Sequence, residues 1–299
     1  MSDTRTVKSQ LPHESELRVQ VNKLLAAAEE TDGVAPLSEQ FVLGLGDARL
    51  GHQHFIATRG DDQVVGVLAD DGDSAEMAVA PSARRAGVGT ALLEESGARD
   101  VWAHGNLPAA QALAGARSMK PTRTLLVMAV AGDRLRENAS VPGVEGTFLN
   151  YDESVSHWGR EHVDAEWLRV NNEAFDWHPE QGGWDAERLD RAREAEWYDP
   201  RDVIFLWDEV ERRLEGFHWT KWHTEADAPF GEVYVVGLAA DYRGKGLGGP
   251  LIAAGLRRMV EKGADRVILY VEADNEPAVK AYENLGFSTA EEHVVYSAA

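Results

Sequence analysis

Residues 231–256 read GEVYVVGLAADYRGKGLGGPLIAAGL, and the order of residue types in this stretch decides the fold. Val233 to Val236 is a β-prone run, the loop after it carries Gly244, Gly246, Gly248 and Gly249, and Leu247, Leu251 and Ile252 then share one helical face. Strand, glycine loop and helix follow one another. Close-spaced glycines at such a junction let backbone N–H groups converge on an anion, and the helix N-terminus adds favourable partial charge. Gly244, Gly246 and Gly249 also match G-x-G-x-x-G, a weak signal by itself. A second copy discriminates. Residues 74–96, SAEMAVAPSARRAGVGTALLEES, repeat the pattern 159 residues earlier, with Arg84, Gly87 and Gly89 on Arg243, Gly246 and Gly248. Val88, Leu92 and Leu93 fall on Leu247, Leu251 and Ile252, while Arg85 stands where Gly244 does. What repeats is a basic residue, two variable positions and G-x-G, and neither copy has the Walker lysine pattern.

Working outward, each loop is preceded by a short strand, Met77 to Val79 in the first copy, and followed by a helix, another strand (VWA from Val101, VILYV from Val267) and a second helical stretch. The halves read as duplicates. Between Gly132 and Gly146, GDRLRENASVPGVEG collects Gly, Pro, Asn and charge, which places the domain break near residue 141, with domains over 1–140 and 141–299. The 299 residues fit two domains of roughly 150, and 43% hydrophobic with 27% charged is ordinary globular composition. Thirty basic against 51 acidic residues, a net charge of −21, argue against a nucleic acid or an anionic membrane as partner. The absence of cysteine excludes disulfides, thiolate zinc sites and a cysteine acyl-enzyme. Apolar stretches such as Leu125 to Ala131 are far shorter than the ~20 residues of a membrane span, and the expectation is a soluble cytoplasmic protein.

The loops Arg243 to Gly248 and Arg84 to Gly89 resemble the acetyl-CoA-binding signature of the GNAT superfamily of N-acetyltransferases, R-x-x-G-x-G. YVEADNEPAVKAYENLGF (270–287), with Asn275, Tyr282 and Leu285-Gly286-Phe287, resembles the segment after the next strand in that superfamily. The resemblance implies an α/β fold of two tandem GNAT-type domains, each a mixed, mostly antiparallel sheet flanked by helices, with acetyl-CoA wedged between splayed strands. It also implies direct acetyl transfer to an amine. GFHWTKWH, GEVYVVG, RVNNEAFDWHPEQGGW and DGVAPLSEQ narrow the likeness to tandem members that acetylate the cysteinyl amine of a cysteinyl-glucosaminyl-inositol precursor, desacetylmycothiol. A monomer is expected.

The cofactor positions that the resemblance carries over are Val236, Gly237 and Leu238, then Arg243, Gly244, Lys245, Gly246, Leu247, Gly248 and Gly249, then Asn275, Glu276, Pro277, Ala278, Val279 and Lys280. In the first half they are Met77, Ala78 and Val79, then Arg85, Ala86, Gly87, Val88, Gly89 and Thr90. A glycine at 237 would permit close approach of the cofactor, and the loop amides with Arg243 and Lys245 would outweigh distant, screened carboxylates. The acceptor positions are Glu39, Glu180, Lys221, Glu232 and Tyr270, a pocket drawn from both domains, whose carboxylates would attract an ammonium and accept from sugar hydroxyls.

Acetylating an ammonium requires a base to take its proton. Glu232, at the start of the loop-bearing strand, faces a cleft if Val233 and Val235 point to the core; read alone it is equally a solvated strand-end acid. By resemblance it is the base. Tyr282, seven residues after Asn275, is by resemblance the acid that protonates the leaving thiolate; read alone it is a half-buried helix aromatic. Laying NLPAAQAL (106–113) on NEPAVKAY (275–282) puts Leu113 opposite Tyr282, and the loop offset puts Asp73 opposite Glu232. The first half is therefore expected to bind acetyl-CoA without transferring its acetyl group. Two rivals stay open: the same chemistry on an amino sugar or peptide N-terminus, and a non-catalytic acetyl-CoA sensor. His218 and His223 alternate faces of a strand at five-residue spacing, so no metal is expected. Most of the tryptophans, Trp177, Trp184, Trp197, Trp207, Trp219 and Trp222 among them, are expected in the second core, with one or two walling the sugar pocket.

Overall fold

The computed structural model describes residues 4–9, 11–60, 62–176, 181–224 and 228–298. In chain order the elements are β1 (Thr4–Ser9), α1 (Ser15–Asp32), α2 (Glu39–Gly44), β2 (Gln53–Arg59), β3 (Gln63–Asp70), β4 (Ala75–Val79), α3 (Val88–Ser96), β5 (Asp100–Ala103), α4 (Pro108–Ala116), β6 (Lys120–Ala131) and α5 (Gly132–Asn138). They continue as β7 (Thr147–Asn150), α6 (Tyr151–Trp158), α7 (Arg160–Ala174), α8 (Ala186–Ala192), β8 (Val203–Asp208), β9 (Arg213–His223), β10 (Phe230–Leu238), α9 (Gly248–Glu261), β11 (Arg266–Glu272), α10 (Glu276–Asn284) and β12 (Ser288–Ser297). Each strand–loop–helix read from the sequence is present, as β4 to α3 and as β10 to α9. The contacts group the chain into two compact units. One is Met1–Leu126 with Glu272–Asp274 and Glu291–Ala299; the other is Val127–Val271 with Asn275–Ala290.

In the first unit β1, β2, β3 and β4 pair antiparallel in sequence order, β4 pairs parallel with β5, and Val294–Ser297 of β12 closes the other side of β5 antiparallel. Alternation along the strands sends side chains to two faces. Ile56 and Val67 meet Val21, Leu24 and Leu25 of α1, while Phe55 and Leu68 meet Val88, Leu92 and Leu93 of α3. The second unit repeats this plan: β7, β8, β9 and β10 are antiparallel and β10 pairs parallel with β11. The stretch expected to hold a bare domain break instead folds partly as α5 in this unit. Its Leu135 is fully buried and Arg136 pairs with Asp265 at 2.7 Å.

On one face of the second sheet α7 packs Val163, Trp167 and Val170 on Phe205, Trp207, Phe217 and Trp219. Of the tryptophans expected in this core, Trp207 and Trp219 are buried in it and Trp184 and Trp197 pack partly buried against it, Trp222 is not part of it, and Trp177 lies outside the described residues. On the opposite face lies α9, and its contact is close: a Cβ at Gly255 would stand 2.1 Å from Nδ1 of His218. That ring is fully buried, and its Nδ1 donates to the Leu251 carbonyl at 3.2 Å. Desolvation holds His218 down at about 4, so it stays neutral; its contribution to stability is present above imidazole's ordinary 6.5 and is lost as pH falls through 4. At its C-terminal end α9 is fixed by Asp202, which is buried, accepts from Arg258 Nε at 2.8 Å and pairs with Lys262. Gly255→Ala separates propensity from packing. Helix propensity alone would stabilise by about 1 kcal/mol, but overpacking against the His218 ring costs about 1–3 kcal/mol. The expected outcome is a lower Tm in a thermal melt, and an equal or higher Tm contradicts the packing.

Candidate active site

β10 pairs with β9 along its length but with β11 only from Gly231 to Val233, opposite Val267 to Leu269. Beyond that point the two parallel strands part. Val236, Gly237 and Leu238 keep His218, Phe217 and Gly216 as partners on the β9 side, and among the described residues they have no register partner on β11. Backbone groups at such a parting need a partner, and an extended ligand arm can supply one. Gly237 also has a packing reason. A Cβ there would stand 2.9 Å from the Ala174 Cβ at the end of α7 and 3.3 Å from Phe217, so its lack of a side chain admits α7.

The loop that follows is built on backbone. Gly244 and Gly246 have φ of +73° and +80°, the left-handed region, and no heavy atom lies within 4 Å of a Cβ placed on Gly244, Gly246 or Gly249. The loop therefore faces open space. The first N–H groups of α9, at Gly248 and Gly249, have no partner within their helix, and Pro250 has none to satisfy. This arrangement fits a pyrophosphate. Arg243 contributes differently from what was expected: its Nε donates to the Leu238 carbonyl at 3.2 Å and its Nη2 to the Glu173 carbonyl, so its side chain staples the loop to β10 and α7. Arg84 does the same in the first half, donating Nε to the Val79 carbonyl at 3.2 Å and pairing both terminal nitrogens with Asp32 at 2.7 Å. The repeated basic residue is a loop staple. Lys245 lies 4.6 Å from the centre of the Tyr242 ring.

In the first unit β4 and β5 pair only at Ala75–Val101 and Glu76–Trp102 before parting. A cavity of about 360 Å³ opens there, and Met77, Ala78, Val79, Arg85, Gly87, Val88, Gly89 and Thr90 all line it, so of the nine expected positions only Ala86 is not brought to it. Arg85 takes φ +62° where Gly244 takes +73°, a strained setting for arginine. Leu113 lines the cavity where the second half has Tyr282, and Asp73 is exposed in the β3–β4 turn. The buried carboxylate here is Glu76, whose Oε2 accepts from the Ser38 amide at 2.6 Å and whose Oε1 lies 3.0 Å from His104 Nε2.

Glu232 is 6% exposed, directly opposite Lys221 on β9 and Ile268 on β11. Its Oε2 lies 2.6 Å from Nε2 of His223. Lys221 is buried, with its Nζ 4.8 Å from the Trp197 ring centre and 5.9 Å from that of Tyr234. The structure thus brings Glu232 and Lys221 together and adds His223, Trp197 and Tyr234. His223 and His218 do face opposite sides of β9, but His223 was weighed only as a metal ligand; its signal was its place two residues from Lys221 on the same strand face. Tyr270 is exposed on β11, Glu39 opens α2 in the first unit, and Glu180 lies outside the described residues. Asn275 caps α10, accepting from the Ala278 amide at 3.3 Å, and Glu276, Pro277, Ala278, Val279 and Lys280 form its first turns. Tyr282 on the same helix packs edge-on against Phe287, ring centres 5.7 Å apart; burial pushes its phenol up to about 12 although part of its surface is open.

These features are those of an acetyltransferase built twice. Residues 167–287 match the Acetyltransferase (GNAT) family, and residues 51–117 match an Acetyltransferase (GNAT) domain. Over its whole length the chain is 59% identical to a mycothiol acetyltransferase of Corynebacterium aurimucosum, covering 99% of this chain and 98% of that one. It is 50% identical to a mycothiol acetyltransferase of Corynebacterium efficiens over 98% and 97%. The chain belongs to the mycothiol acetyltransferase family. Its fold matches a tandem GNAT protein from the clavulanic acid biosynthesis pathway with a TM-score of 0.72 at 18% identity, over 99% of this chain and 98% of that one. It also matches a GCN5-related N-acetyltransferase from Sphaerobacter thermophilus with a TM-score of 0.67, over 97% and 94%. Among the described residues no helix is long and apolar enough to cross a membrane.

Gly246→Ala tests the loop. The added Cβ meets nothing, so its effect is the left-handed backbone penalty of about 1–2 kcal/mol. The KM for acetyl-CoA is expected to rise about tenfold with a smaller change in kcat, and an unchanged KM in steady-state assays removes the loop from cofactor binding.

Proposed function

We propose that the chain transfers the acetyl group of acetyl-CoA directly to the cysteinyl amine of desacetylmycothiol, giving mycothiol and CoA, and that residues 141–299 do the chemistry. The observation that carries this reading is the buried carboxylate of Glu232 beside Lys221, on the strand that runs into the glycine loop. Acetyl-CoA supplies the thioester acetyl group. The parted strands and the loop amides from Gly244 to Gly249 hold its pantetheine arm and pyrophosphate, with Asn275 to Lys280 beside them. Glu232 takes the proton of the acceptor ammonium. His223 holds its Oε2, and the other oxygen, Oε1, is the one that takes the proton in this scheme. Lys221, Tyr270 and Glu180 bind the remainder of the acceptor through hydroxyls and charge.

Tyr282 acts at the departing sulfur. A phenol held up at about 12 is protonated throughout the working range, so it is always a donor beside a thiolate, whose own pKa is ~8.5. Because sulfur is the weaker base, the phenol contributes its hydrogen bond to the developing negative charge. Residues 1–140 bind acetyl-CoA in the cavity of the first unit but do not transfer its acetyl group: Leu113 replaces the phenol, and Glu76 has its Oε2 held by the Ser38 amide and its Oε1 beside His104 Nε2. The enzyme works as a cytoplasmic monomer, without a metal.

An acceptor screen that follows released thiol is the direct test, with desacetylmycothiol beside cysteine, glucosamine and a peptide N-terminus. Turnover is expected with the first far above the others, and a preference for the peptide overturns the acceptor. Tyr282→Phe is expected to lower kcat by ~10²–10⁴ with the KM for acetyl-CoA nearly intact; unchanged turnover removes its role. Glu232→Gln is expected to lose a similar factor, most of all at low pH where free amine is scarce, and a loss independent of pH contradicts its action as base.

A further inference from the structure

The strand face that carries Glu232 holds a second titratable group that the reaction scheme does not yet use. Phe230 and Glu232 on β10 stand directly opposite His223 and Lys221 on β9, so the four side chains share one face. The His223 ring lies flat on Phe230, centres 4.4 Å apart with 14° between planes, and its Nε2 reaches Glu232 Oε2 at 2.6 Å. Stacking leaves the imidazole little freedom, so the hydrogen bond is aimed. Glu232 is nearly excluded from solvent, whereas the side chain of His223 is 26% exposed. A buried base is thus tied to a group that exchanges protons with water.

We propose that His223 is the positioning residue for Glu232. Resting on the assignment of Glu232 as base, it donates Nε2–H to Oε2, fixes the carboxylate plane and leaves Oε1 aimed at the acceptor ammonium. Its charge sets the pH at which that base works. Neutral His223 steadies the carboxylate without adding charge. Protonated His223 forms an ion pair that weakens Glu232 as a base and places a cation beside the site of an incoming ammonium. The other charged and titratable groups around this face are the cations Lys221, opposite Glu232, and Arg266, 5.7 Å from the Phe230 ring centre, and the phenols of Tyr234 and Tyr270. Nitrogen gives up two protons: one passes from the ammonium to Oε1 of Glu232 before transfer and leaves to solvent afterwards, the second is lost from nitrogen as the C–S bond breaks and ends on the CoA thiolate, and His223 gains and loses none in a cycle run with the ring neutral.

The test is the pH dependence of kcat and of kcat/KM for desacetylmycothiol in the full-length enzyme, its Glu232→Gln form, and two His223 variants. His223→Ala is expected to lose roughly tenfold in kcat, a fraction of the ~10²–10⁴ a positioned base supplies, with the KM for acetyl-CoA unaltered. His223→Gln can still donate to Oε2 but cannot be charged, so it is expected to recover most of that loss and to remain active further into acid than the parent. A His223→Gln profile superimposed on the parent's, or a His223→Ala enzyme equal to the parent in kcat and pH profile, overturns the proposal. A purely structural role would lower the amount of folded enzyme in both variants without moving the pH profile, and that outcome also overturns it. If Glu232→Gln retains parental turnover, the base assignment itself falls; if Glu232→Gln is inactive while both His223 variants behave as the parent, only the present proposal falls.

Discussion

Two neighbouring parallel strands that pair briefly and then part are the constraint on which everything else in each unit depends. In the second unit the pairing lasts from Gly231 to Val233, and in the first it covers Ala75 and Glu76. Past those residues one strand edge has lost its ladder, and buried backbone N–H and C=O groups do not stay unpaired. The surrounding structure keeps the gap from closing. α9 is seated on β9 by a glycine–histidine contact too close for any other residue pair of that kind, and its far end is clamped by Asp202. With its middle and its C-terminal end fixed, α9 presents its N-terminus directly after the loop that follows the parted strand β10.

Comparison of the halves separates scaffold from chemistry. Both keep the arginine that staples the loop to a carbonyl five residues back and to the preceding long helix, and both keep a left-handed glycine at Gly87 or Gly246. They differ at Leu113 against Tyr282 and at Asp73 against Glu232. The first half also tolerates Arg85 in a left-handed conformation, a strain of about 1–2 kcal/mol that its partner avoids with Gly244. The first half thus keeps the geometry of the loop while lacking the phenol and the strand carboxylate of the second.

The fold was legible because its signals are local. A strand, close-spaced glycines and an apolar helix face within 26 residues leave few alternatives, and the repeat of the pattern removes most of those. The functions of single residues were less legible where they depend on partners distant in sequence. Arg243 looked like a phosphate ligand because it is basic and repeated, but its direction is set by the carbonyls of Leu238 and Glu173. Gly237 reads along the strand as room for a cofactor, and its second reason, room for the end of α7, depends on a helix more than sixty residues earlier. The Gly- and charge-rich stretch after residue 131 looked like a linker, yet Leu135 within it has a buried place to fill. His223 was passed over because its importance lies in cross-strand register: only pairing of Phe230 with His223 and Glu232 with Lys221 puts the imidazole on the carboxylate. No pattern along one strand encodes that.

A net charge of −21 and a polyanionic cosubstrate are compatible because the two act over different distances. Exposed carboxylates more than about 10 Å from the loop are screened by salt, whereas the amides of Gly244 to Gly249 and the start of α9 act in contact. Two acids beside the loop have their charge answered. Arg169 Nη1 donates to Glu173 Oε1 at 2.9 Å and the Ala240 amide to its Oε2 at 3.1 Å, bonds that hold the Glu173 carboxyl below its ordinary range despite the opposing cost of burial. Asp208 accepts from the Tyr242 hydroxyl at 3.2 Å and from the Val210 and Glu211 amides, and it too is held below its ordinary range. Acidity over the surface and a receptive site for an anion are therefore separate properties of this fold, the first set by composition and the second by a few residues of backbone geometry.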